Sequence, residues 1–463
     1  MWVQFGGSAA DFGEGRPDPT HTHTHARTQT DTRARARAHA RTRARAEVEF
    51  EVKLGVEFEV KLGVKVKVEA KVLVKADTDS WIAWMGGFHV AGVVSGFRDT
   101  WREGWGEGGV VRAARCAGAL AAVIAWEVVF MWQSVPAGLD AWRQRRAAKD
   151  EFGGLSEDVR YGDEEAQVLD YYRGSLEGTC RRLVVYVHGG AWGSGAKWHY
   201  AGLARRVRRE SGGAVGVAVV QYGLHKKCGD VATMTRDVDA AVKWAVREAG
   251  GDLEGAEVVL AGQSSGAHLC ALWAVQRALA SKAPSEVGAM VLVSGVFDCW
   301  EHYWHERKRG VHLLSPMLPA MGGRVDAEVP PGRWAEELFM KPLAAHSPTR
   351  ILLGEARQGR DLSKHLPKRV HLLHGDADTT VPVAQSVDFA SALSRAGMGH
   401  AVRFDVLQGA GHAQLLLDLM GGRGSDQRKT GRQQVDSPGR DMHARRVSAA
   451  LGGSLLDAPT TAD

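Results

Sequence analysis

A serine flanked by glycines follows an apolar run in the stretch VVLAGQSSGAHLC, residues 258–270. Gly262 and Gly266 would let the chain turn sharply between a strand and a helix, so that the hydroxyl of Ser264 projects beyond the edge of a sheet. A serine hydroxyl is a weak nucleophile by itself and requires a base within hydrogen-bond reach. We therefore interpret Ser264 as a candidate nucleophile whose partners must come from elsewhere in the chain.

A second glycine-rich stretch, HGGAWGSG, begins at His188 directly after an apolar run. Consecutive glycines leave backbone N–H groups unobstructed, and such groups can hydrogen-bond the oxyanion of a tetrahedral intermediate. We predict that the N–H groups of Gly189, Gly190 and Ser265 form this oxyanion hole. The alternative interpretation is a tight turn at the exit of a strand, which would need the glycines but no catalytic partner.

The candidate acid and base lie further along the chain, in HGDADTTVP (374–382) and GAGHAQL (409–415). Asp378 is the predicted acid, and its carboxylate would orient the imidazole of His412, the predicted base. Asp376 is the rival acid, although loop hydrogen bonding is its expected role. Serine, aspartate and histidine follow one another along the chain in the order that α/β-hydrolases use.

The elements that must position these residues alternate between short apolar runs and helical patterns. Six runs rich in β-branched residues predict strands at 181–190, 214–222, 257–263, 288–298, 369–376 and 401–409. This alternation predicts a mostly parallel central sheet with helices on both faces. Together with the order of the serine, the aspartate and the histidine, such a sheet is what an α/β-hydrolase fold requires. The stretch 299–365 breaks the alternation and is rich in His, Trp and Pro, so we predict a cap insertion there. His268, on the helix after the candidate nucleophile, is expected to serve packing.

The N-terminal third of the chain has a different composition. Residues 1–77 hold a near-dipeptide repeat of His, Thr, Ala and Arg and two copies of VEFEVKLG. We predict that they form a low-complexity, disordered extension. Residues 78–150 hold two apolar stretches, 81–97 and 116–132, each about as long as the shortest bilayer-spanning helices. Membrane association and packing on the downstream domain both fit these stretches.

The predicted catalytic domain covers residues 151–425, and a polar, glycine-rich tail at 426–463 is predicted to be flexible. The net charge of +5 comes largely from the arginines between Arg27 and Arg45 and from the residues after Met420. It therefore does not indicate a nucleic-acid partner. The five cysteines include no Cys-x-x-Cys pair, which argues against a disulfide framework or a structural zinc site. We expect the protein to use neither a metal nor a cofactor.

Four segments of the chain resemble the isoprenylcysteine methylesterases, a plant-type group of membrane-associated α/β-hydrolases. The segments are RYGDEEAQVLDYY (160–172), VVYVHGGAWGSGAKWHY (184–200), DVATMTRDVDAAVKW (230–244) and GQSSGAHLCALWA (262–274). The resemblance implies a serine carboxylesterase that removes the methyl ester from prenylated, carboxyl-methylated C-terminal cysteines. Ser264 would attack the ester carbonyl, methanol would leave, and water would then attack the acyl-enzyme.

The resemblance also implies partners and a location. The substrates would be prenylated, carboxyl-methylated proteins or prenylcysteine methyl esters, and we expect Trp192 and Gln263 to contact them. The expected location is the endoplasmic reticulum or Golgi membrane with the catalytic domain facing the cytosol, and a cytoplasmic location is the alternative. The chain departs from its relatives at Gln221-Tyr222-Gly223, where they generally carry Asp-Tyr-Arg, and its cap matches them poorly.

Other functions share the same motifs. Arylformamidases, which hydrolyse N-formylkynurenine, also carry His-Gly-Gly-x-Trp and Gly-x-Ser-x-Gly, and other carboxylesterases of small esters have similar loops. A non-catalytic binding protein of this fold would usually lack a member of the triad, whereas Ser264, Asp378 and His412 are all present. The apolar stretches and the match at 230–244 favour the prenylcysteine esters among these alternatives.

Overall fold

The computed structural model describes the backbone of two strands, Val52–Glu59 and Lys65–Val72, and most of the chain from 138 to 452. The residues of this second range that are not described are 152, 175–179, 226–228, 251–254, 281–282, 310, 313–314, 324–339 and 421–437. Both apolar stretches, at 81–97 and 116–132, lie outside the described residues, as does most of the predicted extension at 1–77.

The chain forms two compact units, Met1–Ala83 and Trp84–Asp463. In the first unit β1 (Val52–Glu59) and β2 (Lys65–Val72) pair in antiparallel fashion. Apolar residues alternate with lysine or glutamate along much of both strands, and this period of two is typical of a strand. The pairing lies within the extension that we predicted to be disordered.

An eight-stranded sheet forms the centre of the second unit. Its strands are β3 (Leu155–Arg160), β4 (Val168–Tyr172), β5 (Arg182–Val187), β6 (Val215–Val220), β7 (Glu257–Gln263), β8 (Ala289–Val293), β9 (Arg369–Gly375) and β10 (Val402–Leu407). The order across the sheet is β10-β9-β8-β7-β5-β6-β4-β3. Neighbouring strands among β5 to β10 run parallel, whereas β4 runs antiparallel to both β3 and β6. This arrangement confirms the predicted α/β-hydrolase fold.

The central strands form because their sequences are apolar on both faces. Every residue of β6 and of β8 is buried, as expected of parallel strands that helices cover on both sides. Along β5 the side chains alternate between two cores. Leu183 and Val185 belong to one core, and Val184 and Tyr186 belong to the core on the opposite face.

Helices cover both faces of the sheet. They are α1 (138–147), α2 (Ala201–Glu210), α3 (Val231–Gly250), α4 (Ser265–Ala280), α5 (Cys299–Lys308), α6 (Met317–Ala320), α7 (Lys341–Ala345), α8 (Pro348–Arg357), α9 (Ala384–Leu393), α10 (His412–Met420) and α11 (Pro438–Gly452). Helices α3, α4, α8 and α9 contribute to the first core, and α2, α10 and α11 contribute to the second.

The predicted boundaries of the catalytic domain are too narrow at both ends. Helix α11 falls in the tail that we predicted to be flexible, yet it packs against α2 and α10 and fully buries Val447, Ala450 and Leu451. The prediction of flexibility is therefore wrong for Pro438–Gly452, because burial of this apolar face stabilises the helix. At the other end, Arg145 of α1 bonds to Asp170 of β4 at 2.8 Å.

The cap prediction concerns the chain between β8 and β9. Helices α5, α6, α7 and α8 occupy this segment, in agreement with the predicted insertion at 299–365. The nitrogen Nε2 of His305, on α5, lies 2.9 Å from the carbonyl oxygen of Thr379, next to the candidate acid. In the part of the chain that the structure describes, no helix is both long enough and apolar enough to cross a bilayer.

Candidate active site

Ser264 lies on a sharp turn between β7 and α4, with its backbone in the left-handed region at φ 56°. A non-glycine residue adopts this conformation only when its surroundings hold it there. The flanking glycines are what allow the turn. A Cβ atom on Gly262 would lie 2.6 Å from the carbonyl carbon of Gly266, and one on Gly266 would lie 2.1 Å from the carbonyl oxygen of Val187. The turn thus has the geometry of a nucleophile elbow.

The structure brings Ser264, His412 and Asp378 together. Nε2 of His412 lies 3.0 Å from Oγ of Ser264, and Nδ1 of His412 lies 2.7 Å from Oδ2 of Asp378. An ionised carboxylate can only accept a hydrogen bond, so Nδ1 carries the proton and Nε2 presents its lone pair to the serine hydroxyl. This is the tautomer that a general base requires in order to take the proton of Ser264.

Asp378 is held as a carboxylate by several donors. The backbone N–H groups of Thr380 and Val381 donate to Oδ1 at 3.0 and 2.8 Å. Nε2 of His374 contacts the carbonyl oxygen of Val381 at 2.8 Å and lies 3.6 Å from Oδ2 of Asp378. Burial alone would raise the pKa of Asp378, but the nearby ring of His374 and the hydrogen bonds to His412 and to the N–H of Val381 outweigh it and hold the pKa well below its usual range.

Asp376, the rival acid, lies in the same loop but does not reach His412. Its side chain is exposed, and its Oδ1 accepts a hydrogen bond of 2.6 Å from the backbone N–H of Gly409. This contact joins the loop after β9 to the loop after β10. It suits the loop role that the sequence predicted for Asp376.

The three predicted oxyanion donors, Gly189, Gly190 and Ser265, differ in the surroundings of their backbone N–H groups. Ser265 is the first residue of α4, where a backbone N–H has no partner within the helix and points out of its N-terminus. Gly190 has a φ of 130°, a conformation that favours glycine. Gly189, in contrast, donates its N–H to the hydroxyl of Tyr200 at 3.3 Å, which corrects its assignment as an oxyanion donor.

Gly189 instead allows the loop after β5 to approach the elbow. A Cβ atom at this position would lie 2.3 Å from Oε1 of Gln263 and 3.1 Å from Cβ of Ser264. Tyr200 stabilises this approach, because its hydroxyl accepts the N–H of Gly189 and also donates to Oε1 of Gln263 at 3.2 Å. Tyr200 is not among the predicted site residues, although it lies in a segment that carries the family resemblance.

The two residues predicted to contact the substrate are buried. Trp192 is 2% exposed and donates its indole N–H to Nδ1 of His268 at 3.0 Å. Gln263 is 1% exposed and accepts the Tyr200 hydroxyl. Because both side chains are directed at protein groups inside the fold, we correct the prediction and assign them to support of the site rather than to substrate contact.

A polar network surrounds the departure at Gln221-Tyr222-Gly223. The carboxylate of Asp237 accepts the backbone N–H of Gly223 at 2.8 Å and the side-chain amide of Gln167 at 2.7 Å. The hydroxyl of Tyr222 donates to the carbonyl oxygen of His188 at 3.0 Å, at the start of the glycine loop. The polar network beside this loop therefore consists of Gln167, Tyr222, Gly223 and Asp237 in this chain. Among the described residues, no group of three His, Cys, Asp or Glu side chains is arranged to hold a metal ion.

The chain is similar in sequence to known hydrolases. The profile of the family described as BD-FAE matches residues 169–317. A probable isoprenylcysteine alpha-carbonyl methylesterase from Oryza sativa subsp. japonica is 27% identical over 278 residues, which cover 57% of this chain and 59% of that protein. The kynurenine formamidase of Danio rerio is 33% identical over 272 residues, which cover 57% of this chain and 76% of that protein.

The chain spans just over half of the plant methylesterases that it matches first, 59% of the rice protein and 51% of one from Arabidopsis thaliana. Among solved structures, a hyperthermophilic esterase from the archaeon Pyrobaculum calidifontis is 16% identical. It has a TM-score of 0.45 and covers 69% of this chain and 92% of its own.

Proposed function

The chain belongs to the α/β-hydrolase family that includes the plant isoprenylcysteine methylesterases and the zebrafish kynurenine formamidase, and we propose that it is a serine hydrolase of carboxylic esters. The observation that carries this proposal is the hydrogen-bonded chain from Ser264 through His412 to Asp378. A nucleophile, a base in the correct tautomer and an orienting carboxylate are the groups that acyl transfer requires.

Acylation begins when Nε2 of His412 takes the proton of Ser264 and the serine oxygen attacks the ester carbonyl carbon. The carbonyl oxygen becomes an oxyanion, which the N–H groups of Gly190 and Ser265 stabilise at the N-terminus of α4. Asp378 stabilises the imidazolium that forms. The tetrahedral intermediate then collapses, the imidazolium gives its proton to the leaving oxygen, and the alcohol departs from the acyl-enzyme.

Deacylation repeats these steps with water as the nucleophile. His412 takes a proton from water, the hydroxide attacks the acyl carbon, and the same donors stabilise the second oxyanion. The imidazolium then returns a proton to Oγ of Ser264, and the carboxylic acid leaves. The enzyme ends in its starting protonation state, so the reaction consumes only ester and water.

We propose the methyl ester of a prenylated C-terminal cysteine as the substrate. The matches to plant methylesterases and the resemblance of the segments at 184–200 and 262–274 support this choice. Methanol would be the alcohol released in the acylation step. The products would be methanol and the free carboxylate of the prenylcysteine.

N-formylkynurenine is the second candidate substrate. It is favoured by the 33% identity to the zebrafish kynurenine formamidase, of which this chain covers 76%. The same triad would then attack a formyl amide, and His412 would protonate the leaving amine. The two substrates differ in the leaving group and in the prenyl chain, and the triad geometry serves both.

Two measurements test the proposal. A fluorophosphonate probe should label the wild-type protein at Ser264, and Ser264→Ala should abolish labelling and lower kcat by about a million-fold. Ser391→Ala, which alters an exposed serine on α9, should do neither. Absence of labelling in the wild type would contradict the serine hydrolase.

Turnover of farnesylcysteine methyl ester beside N-formylkynurenine selects the substrate, and equal or faster turnover of the formamide would contradict the methylesterase.

We also propose association with the endoplasmic reticulum or Golgi membrane through the apolar stretches at 81–97 and 116–132. The length of these stretches and the tryptophans near their ends support this. The full chain should stay in the membrane pellet after a carbonate wash, whereas a variant that lacks residues 78–137 should not. Release of the full chain into the supernatant would contradict a spanning segment.

A further inference from the structure

His268 lies one helical turn after the nucleophile and uses both of its ring nitrogens. Its side chain is completely buried on α4. Nδ1 lies 3.0 Å from the indole nitrogen of Trp192, and Nε2 lies 2.8 Å from the carbonyl oxygen of His346. The ring thus joins three separate segments, which are the nucleophile helix, the glycine loop after β5 and the end of the cap.

These contacts define the tautomer of His268. An indole N–H can only donate, so Nδ1 of His268 must present a lone pair to Trp192. Nε2 then carries the proton and donates it to the carbonyl oxygen of His346. Burial also lowers the pKa of His268 to about 4, so the ring is neutral at pH 7. A proton on Nδ1 would point at the indole N–H, and two donors that face each other would break the hydrogen bond to Trp192.

Trp192 is part of a strained segment of the glycine loop. Gly190, Ala191 and Trp192 follow one another with φ values of 130°, 49° and 59°. Left-handed backbone at two consecutive non-glycine residues persists only where neighbouring contacts hold it. The indole bond to His268 is such a contact, and the carbonyl oxygen of Trp192 also accepts the N–H of His225 at 2.9 Å.

We infer that His268 is a positioning residue for the oxyanion hole, because it holds the loop that carries Gly190 at a fixed distance from Ser264. This inference rests on the proposed hydrolase activity. The loop supplies one oxyanion donor and α4 supplies the other at Ser265. A hydrogen bond between the loop and α4 keeps both N–H groups directed at the position of the oxyanion. The bond to Trp192 performs this task, and the bond to His346 attaches the cap to the same ring.

Two conservative variants separate the two bonds of the ring. In His268→Asn, the side-chain oxygen takes about the position of Nδ1 and can accept the indole N–H of Trp192. In His268→Gln, the side-chain N–H₂ takes about the position of Nε2 and can donate to His346, but Trp192 is left without its acceptor. His268→Asn therefore retains the hydrogen bond to Trp192, whereas His268→Gln retains the hydrogen bond to His346.

We expect His268→Gln to lower kcat about a hundredfold with little change in KM, because a misplaced donor affects the transition state more than the bound ester. His268→Asn should keep kcat within about tenfold of the wild type. Trp192→Phe removes the same bond from the loop side and should match His268→Gln. Combining Trp192→Phe with His268→Gln should cause no further loss, since residues that share one interaction are not additive.

His371→Asn is the matched control. His371 is buried on β9 and bonds to Asp405 at 2.9 Å, away from the glycine loop. This variant should lower Tm but leave kcat unchanged. Equal kcat values in His268→Gln and His268→Asn, or full additivity of His268→Gln with Trp192→Phe, would overturn the positioning role. If His268→Gln does not fold, the comparison of Trp192→Phe with His371→Asn gives the same decision.

Failure of the proposed function has a different signature. A wild-type protein that neither hydrolyses esters nor reacts with a fluorophosphonate at Ser264 would overturn the hydrolase, and the positioning role would fall with it. A wild-type protein that does both, beside a His268→Gln variant with unchanged kcat, would overturn the positioning role alone.

Discussion

The Oδ2 atom of Asp378 lies 2.7 Å from Nδ1 of His412, while Asp376, two residues earlier, bonds to the backbone N–H of Gly409 instead. Two aspartates of one loop therefore have different partners. One orients a ring that faces the serine, and the other joins two loops. This difference can be tested by the same substitution at both positions.

Asp378→Asn should lower kcat by about ten-thousand-fold with a small effect on KM. An asparagine can donate to Nδ1 of His412 and so favours the tautomer whose Nε2 carries the proton and cannot act as a base. Asp376→Asn should lower kcat by less than about tenfold, because its side-chain oxygen still accepts the N–H of Gly409. Steady-state kinetics with an activated ester measures both. Similar losses at the two positions would contradict the assignment of the acid.

Buried neutral histidines should make the protein less stable as the pH falls from 6.5 to about 4. Burial lowers the pKa of both His188 and His268 to about 4, from the ordinary value of 6.5. Between these values the unfolded chain binds protons that the native ring does not, so the free energy of unfolding decreases as the pH is lowered. The loss is roughly 3 kcal/mol for each ring, complete near pH 4.

Urea denaturation between pH 7 and pH 4 measures this loss. His268→Asn should be less stable than the wild type at pH 7, and the difference should shrink as the pH falls, because one titrating ring has been removed. Ser391→Ala, at an exposed position that does not titrate, should follow the wild-type curve. A constant difference between His268→Asn and the wild type across this range would contradict a neutral buried ring.

The parallel core of the fold could be predicted because its signal lies within short segments. β5 to β10 are apolar runs, and the chain between them has helical spacing, so their type and order follow from the sequence. β3 and β4 were not predicted. β3 has the sequence LSEDVR, whose side chains are only partly buried, and it is held by pairing with β4 rather than by its own apolar pattern.

Much of the site could also be predicted, but not the direction of each group. Ser264, Asp378 and His412 follow strand ends whose positions the sequence indicates, and parallel strands place their carboxyl ends at one edge. The partner of the Gly189 N–H is the hydroxyl of Tyr200, 11 residues further along the chain, and this pairing depends on how the loop after β5 packs rather than on residue type. Residue type alone likewise could not reveal that Trp192 is directed inward.

Gly189→Ala should lower kcat by about a hundredfold or more, although glycine to alanine is a small change. The added Cβ would lie 2.3 Å from Oε1 of Gln263 and 2.8 Å from its backbone oxygen, so the loop must move away from the elbow. This movement also displaces the N–H of Gly190, which is the oxyanion donor of the same loop. Displacement of such a donor affects mainly the transition state.

Gly354→Ala is the control for this substitution. Gly354 lies in α8 with open space around its Cα, so alanine there should leave kcat unchanged and raise the free energy of unfolding by about 0.5–1 kcal/mol. Steady-state kinetics and urea denaturation of both variants provide the comparison. Unchanged kcat in Gly189→Ala would show that the close approach of loop and elbow is not needed for catalysis.

Leu451→Ala should lower the free energy of unfolding by about 2–5 kcal/mol, although it lies only twelve residues from the end of the chain. Leu451 is fully buried in the second core, where α11 packs against α2 and α10. Met442→Ala, on the same helix but 43% exposed, should change this free energy by less than about 0.5 kcal/mol. Urea denaturation at pH 7 measures both, and kcat should stay unchanged because α11 contributes no group to the triad. Equal, small effects at both positions would mean that α11 does not stabilise the domain, as the sequence-based prediction of a flexible tail had it.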